Sequence, residues 1–230
     1  MPKNTIVAGS FLYLRMQNSI QHTIKFVKLT LADAEAGHDW FHIERVYKTS
    51  LYINGTEHGD ELVVSYAALL HDIADPKFHD GDEEIGPKKA EAFLKSIDVN
   101  PEVIDHVKLI IQNMSFKNSF DEGGFTSKEM QIVQDADRLD AIGAIGIARA
   151  FTYGGFKNRV LYDPAIAPVE NHSKESYKNT TAPTINHFYE KLLLLKDSMN
   201  TETGKAIALK RHQFMLSYLE QFYEEWEGNR

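Results

Sequence analysis

The sequence predicts an all-α fold. Three observations carry that expectation. Apolar residues recur at three- and four-residue steps along most of the 230 residues, prolines fall where helices would start or stop, and no alternating pattern runs long enough for a strand. Ile20, Ile24, Val27 and Leu31 define the first helical face. A second helix is expected from about Asp39 to about Ile53, with Asn54-Gly55 as the turn that ends it. Leu62, Tyr66, Leu69, Leu70 and Ile73 stripe a third helix, which Pro76 stops. Pro87 and Pro101 fit the first turns of two more, carrying Ala90, Phe93, Leu94 and Ile97, then Val103, Ile104, Val107, Ile110 and Ile111.

Asp121-Glu-Gly-Gly reads as a loop, and Ser127 as the cap of a helix carrying Met130, Val133, Ala136 and Leu139. That helix is expected to continue through residues 141–150, where Gly143 and Gly146 would let another backbone come close. Residues 153–183 form the one long irregular stretch, a length that suits a functional cover or a mobile segment. Two last helices follow within residues 184–226. Ile185, Phe188, Tyr189, Leu192, Leu195 and Met199 mark the first, and Met215, Tyr218, Leu219, Phe222 and Trp226 the second. The expected organisation is an N-terminal extension over residues 1–15, with Met16 as an alternative start, and one helical domain over 16–230 whose last two helices pack as a hairpin on the rest.

Composition narrows the function. There is no cysteine, which excludes a disulfide scaffold, a thiolate zinc site and a cysteine nucleophile. It suits a reducing compartment, and a cytoplasmic location is the expectation. The formal net charge of −8 opposes stable nucleic-acid binding, because phosphate backbones are repelled at long range. No apolar run approaches the roughly 20 residues of a membrane span. A small phosphorylated substrate remains compatible if a cation offsets the field locally.

The informative positions are polar residues that interrupt apolar helix faces. His71-Asp72 sits in Ala67-Ala-Leu-Leu-His-Asp-Ile-Ala, where an unpartnered carboxylate would be costly and a divalent cation would remove the cost. Asp135, Asp137 and Asp140 crowd another apolar run, and like charges so close need something positive among them. His38 and His42 lie four apart, with the helix starting near Asp39. Two imidazoles and two carboxylates form a nitrogen–oxygen set suited to Mn²⁺, Fe²⁺, Ni²⁺, Co²⁺ or Zn²⁺ better than Ca²⁺. Mn²⁺ is the first expectation, with Mg²⁺ among the alternatives, and ligand type does not choose among them. Each residue alone has a plainer reading, as a hydrogen-bonded core histidine or a solvated helix cap.

Together these motifs resemble the HD-domain phosphohydrolase superfamily, whose pattern is a His, a His-Asp pair and a distant Asp. His38-Asp-Trp-Phe-His-Ile-Glu-Arg-Val, Ala67-Ala-Leu-Leu-His-Asp-Ile-Ala-Asp and Asp135-Ala-Asp-Arg-Leu-Asp-Ala-Ile-Gly resemble its stand-alone, single-domain branch, as does Ile185-Asn-His-Phe-Tyr-Glu-Lys-Leu-Leu. The resemblance implies His42, His71, Asp72 and Asp137 as metal ligands, with Asp140 left to bind a ligand imidazole or an arginine. It implies hydrolysis of (deoxy)nucleoside triphosphates to monophosphate and pyrophosphate. A 5′-nucleotidase or other phosphomonoesterase is the nearest alternative, and a non-catalytic nucleotide or metal sensor a more distant one. Guanosine tetraphosphate hydrolysis has only Asp75 to recommend it, because Pro76 breaks the acidic pair expected there.

Around the ion, Arg45 lies one turn after His42 and is placed to reach a phosphate. Lys77 follows the Pro76 break as a phosphate contact, with His79 beside it, and Asp75 resembles the water-orienting acid of the guanosine polyphosphate hydrolase branch, which implies a general base or a residue supporting the metal site from behind. Lys157, Arg159 and Lys178 could close over a polyphosphate, with solvent exposure as their simpler role. His106 and His187 read as packing or hydrogen-bonding residues. A nucleotide is the expected partner, with homodimerisation left open.

Overall fold

The computed structural model describes residues 4–32, 34, 39–74, 82, 84–114, 124–169 and 182–229, with side chains from residue 14 onward. The described residues contain helices and no strand, as the periodicity predicts. They divide into two compact units, residues 1–133 and 134–230.

In the first unit, α1 (Asn4–Thr30) begins well ahead of the stretch whose periodicity is legible. α2 (Trp40–Glu57) starts on Asp39, whose carboxylate accepts the His42 backbone N–H at 2.9 Å. The expected end at Asn54-Gly55 is corrected: the helix runs through both and closes at His58, which adopts the left-handed conformation with φ 57°. Asn54 is 7 % exposed, and its side chain accepts the Gly59 N–H at 2.8 Å, so a tertiary role replaces the turn.

α3 (Glu61–Leu70) is capped by Asp60, which accepts from the N–H groups of Leu62 and Val63. Glu129 accepts the Asp60 N–H at 2.9 Å and fastens this corner. Val63 to Leu70 are all buried, because α1, α2 and α5 (Pro101–Asn113) each pack against α3. A helix apolar on every side requires such a jacket. Tyr66 adds a polar tie, donating to Ser19 of α1 at 2.7 Å. α4 (Ile85–Ser96) packs on α5, with Pro87 in its first turn, and Phe93 stacks on Phe26 of α1 with ring centroids 4.0 Å apart. Asn100 caps α5 and Pro101 opens it.

α6 (Lys128–Asp140) is capped as expected by Ser127, which accepts the Met130 N–H at 3.1 Å. The boundary between the units falls inside this helix. The expected continuation to residue 150 is corrected. The chain breaks at Ala141-Ile142, Gly143 turns it at φ 77°, and α7 (Gly143–Phe156) follows. Gly146 does allow a close approach, to the break itself: a Cβ there would lie 2.2 Å from the Ala141 carbonyl oxygen.

After α7 the described part of the long loop is pinned. Val160 and Leu161 accept the N–H groups of Thr184 and Ile185, and the Ile166 carbonyl accepts from the Asn186 side chain. The first of the two C-terminal helices is shorter than expected. It is one α-helical turn, α8 (Asn186–Glu190), broken at Lys191 and continued as a 3₁₀ helix (Leu192–Ser198). The last, α9 (Glu202–Trp226), starts well ahead of its legible stripe, which begins at Met215; it is capped by Thr201 and packs on α7 and the 3₁₀ helix.

Candidate metal centre

The capped start of α2 and the end of α3 meet because the two helices form a hairpin around His58. His42 lies in the first turn of α2 and is 2 % exposed. His71 is the C-cap of α3, and Asp72 follows it in the turn, both partly exposed. One ligand atom from each of His42, His71 and Asp72 lies within 4.8 Å of the others. The imidazole centroids are 5.5 Å apart with the rings tilted by 68°, so edges rather than faces converge.

The orientation of His71 is set by the backbone. Its Nδ1 lies 2.9 Å from the Ala68 carbonyl oxygen. A carbonyl only accepts, so Nδ1 carries a proton, and in the neutral ring Nε2 is the nitrogen whose lone pair is offered to an electrophile. A backbone carbonyl behind a ligating imidazole is a recurrent way of fixing tautomer and ring angle. Two neutral imidazoles and a carboxylate suit a divalent cation, whose bonds of about 2.1 Å close the observed spread with small side-chain shifts. The donor set fits the group.

The sequence places three acids in the second half of α6, and the structure assigns each a different environment. Asp135 is fully buried and accepts four hydrogen bonds: from Asn200 N at 2.8 Å, Asn200 Nδ2 at 3.0 Å, Thr201 N at 2.7 Å and Thr201 Oγ1 at 2.7 Å. Asp140 pairs with Arg149 at 2.5 Å, the second of the two partners, imidazole or arginine, open to it from the sequence. Asp137, between them, is partly exposed. It belongs to the second unit, and the donors that converge in the first are His42, His71 and Asp72.

Arg45 is on α2, one turn past His42 and partly exposed, while neighbouring Glu44 pairs with Lys48 at 3.2 Å. His38, Asp75, Lys77, His79 and Lys178 lie outside the described residues. Lys157 lies over the rings of Tyr153 and Phe156, and Arg159 over Tyr153. His106 takes the hydrogen-bonding role expected of it, 2.9 Å from Ser127 Oγ. His187 is pushed down to about 4, first by burial and then by Lys191 and Arg159.

Two features escaped the sequence reading. The Ala68 carbonyl sits three residues before His71, a spacing that becomes informative only once the helix end is known. Thr201 could have been found as a cap by the glycine and threonine that follow it, but its hold on Asp135 spans too many residues for any local pattern.

The comparisons with known proteins agree on one family. Residues 40–142 match the family model described as HD domain. The curated Bacillus subtilis protein YpgQ, itself uncharacterised, is 38 % identical over 207 residues, covering 88 % of this chain and 91 % of its own. A crystal structure of an HD-superfamily hydrolase from Bacillus thuringiensis is 45 % identical and superposes with a TM-score of 0.74, covering 92 % of this chain and 98 % of that one. YpgQ has been crystallised in complex with ADP; that structure has a TM-score of 0.73 at 35 % identity, covering 92 % of this chain and 96 % of its own. Among the described residues, no helix is long and apolar enough to cross a membrane.

Proposed function

Because the chain belongs to the HD-domain family of metal-dependent phosphohydrolases, we propose that it hydrolyses (deoxy)nucleoside triphosphates to the monophosphate and pyrophosphate. The observation that carries this reading is the convergence of His42, His71 and Asp72, with the His71 lone pair turned forward by Ala68. The ADP bound by YpgQ supports a nucleotide as substrate class. His42, His71 and Asp72 hold a divalent cation, Mn²⁺ by preference, and Asp137 is assigned to it as the fourth ligand on the strength of its motif. When bound, such a cation supplies Lewis acidity toward a phosphoryl oxygen and acidifies water.

The chain's own groups do the rest. Arg45 and Lys77 neutralise phosphate charge and hold the polyphosphate in line, which is most of what phosphoryl transfer asks of a protein. Asp75 accepts the proton of the attacking water. The water oxygen bonds to the α-phosphorus, the bridging bond to the β-phosphate breaks, and pyrophosphate leaves with that electron pair.

The test incubates the full chain with Mn²⁺ and either a nucleoside triphosphate or a monophosphate, and separates the products. Equal amounts of monophosphate and pyrophosphate are expected. Orthophosphate released from the monophosphate alone would replace this reading with a 5′-nucleotidase. Tight nucleotide binding without turnover across a panel of divalent metals would replace it with a sensor.

A further inference from the structure

Asp135 is fully buried, yet it stands two residues from the proposed ligand Asp137. Its four acceptor bonds come from Asn200 and Thr201, the two residues that open α9. The fit is close. Thr201 Oγ1 also accepts the Gly204 N–H at 2.9 Å, and a Cβ on Gly204 would lie 2.3 Å from the Asp135 carboxylate. Only glycine admits the carboxylate to this helix start.

Two further bonds fall on the same side of α6. Arg138 donates to the Ser198 carbonyl, and Arg211 of α9 donates to the Leu139 carbonyl. Residues 135, 138 and 139 share one helical face at spacings of three and four. Residue 137 is about 200° round from residue 135, on the opposite face. Asp140, one turn after Asp137, is held by Arg149, which also donates to the Asp140 carbonyl at 3.3 Å. The second half of α6 is therefore fixed in rotation by polar bonds at Asp135, Arg138 and Leu139 on the side away from Asp137, and by the Asp140–Arg149 pair on its own side.

We propose that Asp135 is a positioning residue: clamped by Asn200 and Thr201, it sets the rotation of α6 and with it the direction of the Asp137 carboxylate. The clamp explains why three acids fall within the six residues 135–140 of α6. One carries the ligand role and the other two orient it. A carboxylate is needed at residue 135 because three N–H donors and a hydroxyl converge there, and an amide would set donor against donor. This inference rests on Asp137 being a ligand.

The experiment measures Mn²⁺ binding to the full chain by titration calorimetry, beside hydrolysis at low and saturating Mn²⁺. Thr201→Val removes the hydroxyl bond to Asp135, together with the cap bond to Gly204, at nearly constant shape and is expected to weaken Mn²⁺ binding about tenfold, within the range for outer-shell changes at metal sites. Thr201→Ser, which keeps the hydroxyl, is expected to stay within about twofold of the parent. Saturating Mn²⁺ should restore turnover in Thr201→Val, because the ligand is misdirected rather than missing, and should not restore it in Asp137→Asn. Asp135→Asn should reproduce Thr201→Val more severely; if it fails to fold, the threonine pair still decides. Melting temperatures that fall while Mn²⁺ affinity stays unchanged would reduce the clamp to a structural bond and overturn the proposal. Unchanged affinity in Asp137→Asn would instead show that Asp137 is not a ligand, a distinct failure that removes the premise.

Discussion

An imidazole that donates from one nitrogen is committed at the other, and at His71 that commitment comes from the chain itself. The Ala68 carbonyl is one of the last acceptors of α3, with no further turn to use it, and His71 takes it up as the helix ends. Replacing His71 with alanine removes a ligand and leaves that carbonyl to water, since the site is partly exposed. Metal content of the purified protein is expected to fall at least tenfold, with the far-UV circular dichroism unchanged. Metal retained at the parental level would disqualify His71. The His71-Asp72 pair was legible in the sequence because two polar residues end a run that is otherwise apolar throughout. The three acids of α6 were harder to sort. Asp135, Asp137 and Asp140 are alike in local pattern, and only Asn200, Thr201 and Arg149, distant or one helix away, tell them apart.

At the scale of helices, periodicity located the buried faces well and the ends poorly. The stripe of α6 carries on into α7 without a change of period, because both helices bury residues in step, so the break at Ala141-Ile142 left no apolar trace. Only Gly143 marked it, and a glycine inside a helical pattern is ambiguous. The opposite error occurred at Asn54-Gly55, where good turn chemistry lies inside α2. Two substitutions separate the cases. A Cβ on Gly55 meets nothing within 4 Å, so Gly55→Ala is expected to stabilise by roughly 0.5–1 kcal/mol, the helical preference of alanine over glycine. A Cβ on Gly146 collides with the Ala141 carbonyl, so Gly146→Ala is expected to cost on the order of 3 kcal/mol, as overpacking against fixed backbone does. Urea midpoints would read both. Opposite signs are expected, and a destabilising Gly55→Ala would return that dipeptide to a turn.

The protein as a whole should record the half-buried His187 in the pH dependence of unfolding. His187 titrates near 6.5 in an unfolded chain and is pushed down to about 4 in the fold, where burial and the charges of Lys191 and Arg159 oppose its protonation. Near pH 7 both states leave it neutral, and it contributes nothing. As pH falls below 6.5 the unfolded chain takes up the proton and the folded one resists until about 4, so stability drains away across that window, by about 2 kcal/mol between pH 7 and pH 5. Carboxylates act lower and separately. Glu91, held near 2 by hydrogen bonds from Lys108 and then Lys95, loses its contribution only as pH falls below 4.5. His187→Gln keeps a polar side chain of similar size that cannot charge. Its denaturant-derived stability should therefore decline less steeply than the parent's between pH 7 and pH 5, and the two curves should converge toward parallel above pH 7. Parallel slopes over the whole interval would mean that His187 takes up its proton in the folded protein as readily as in the unfolded one, which its position between Lys191 and Arg159 opposes.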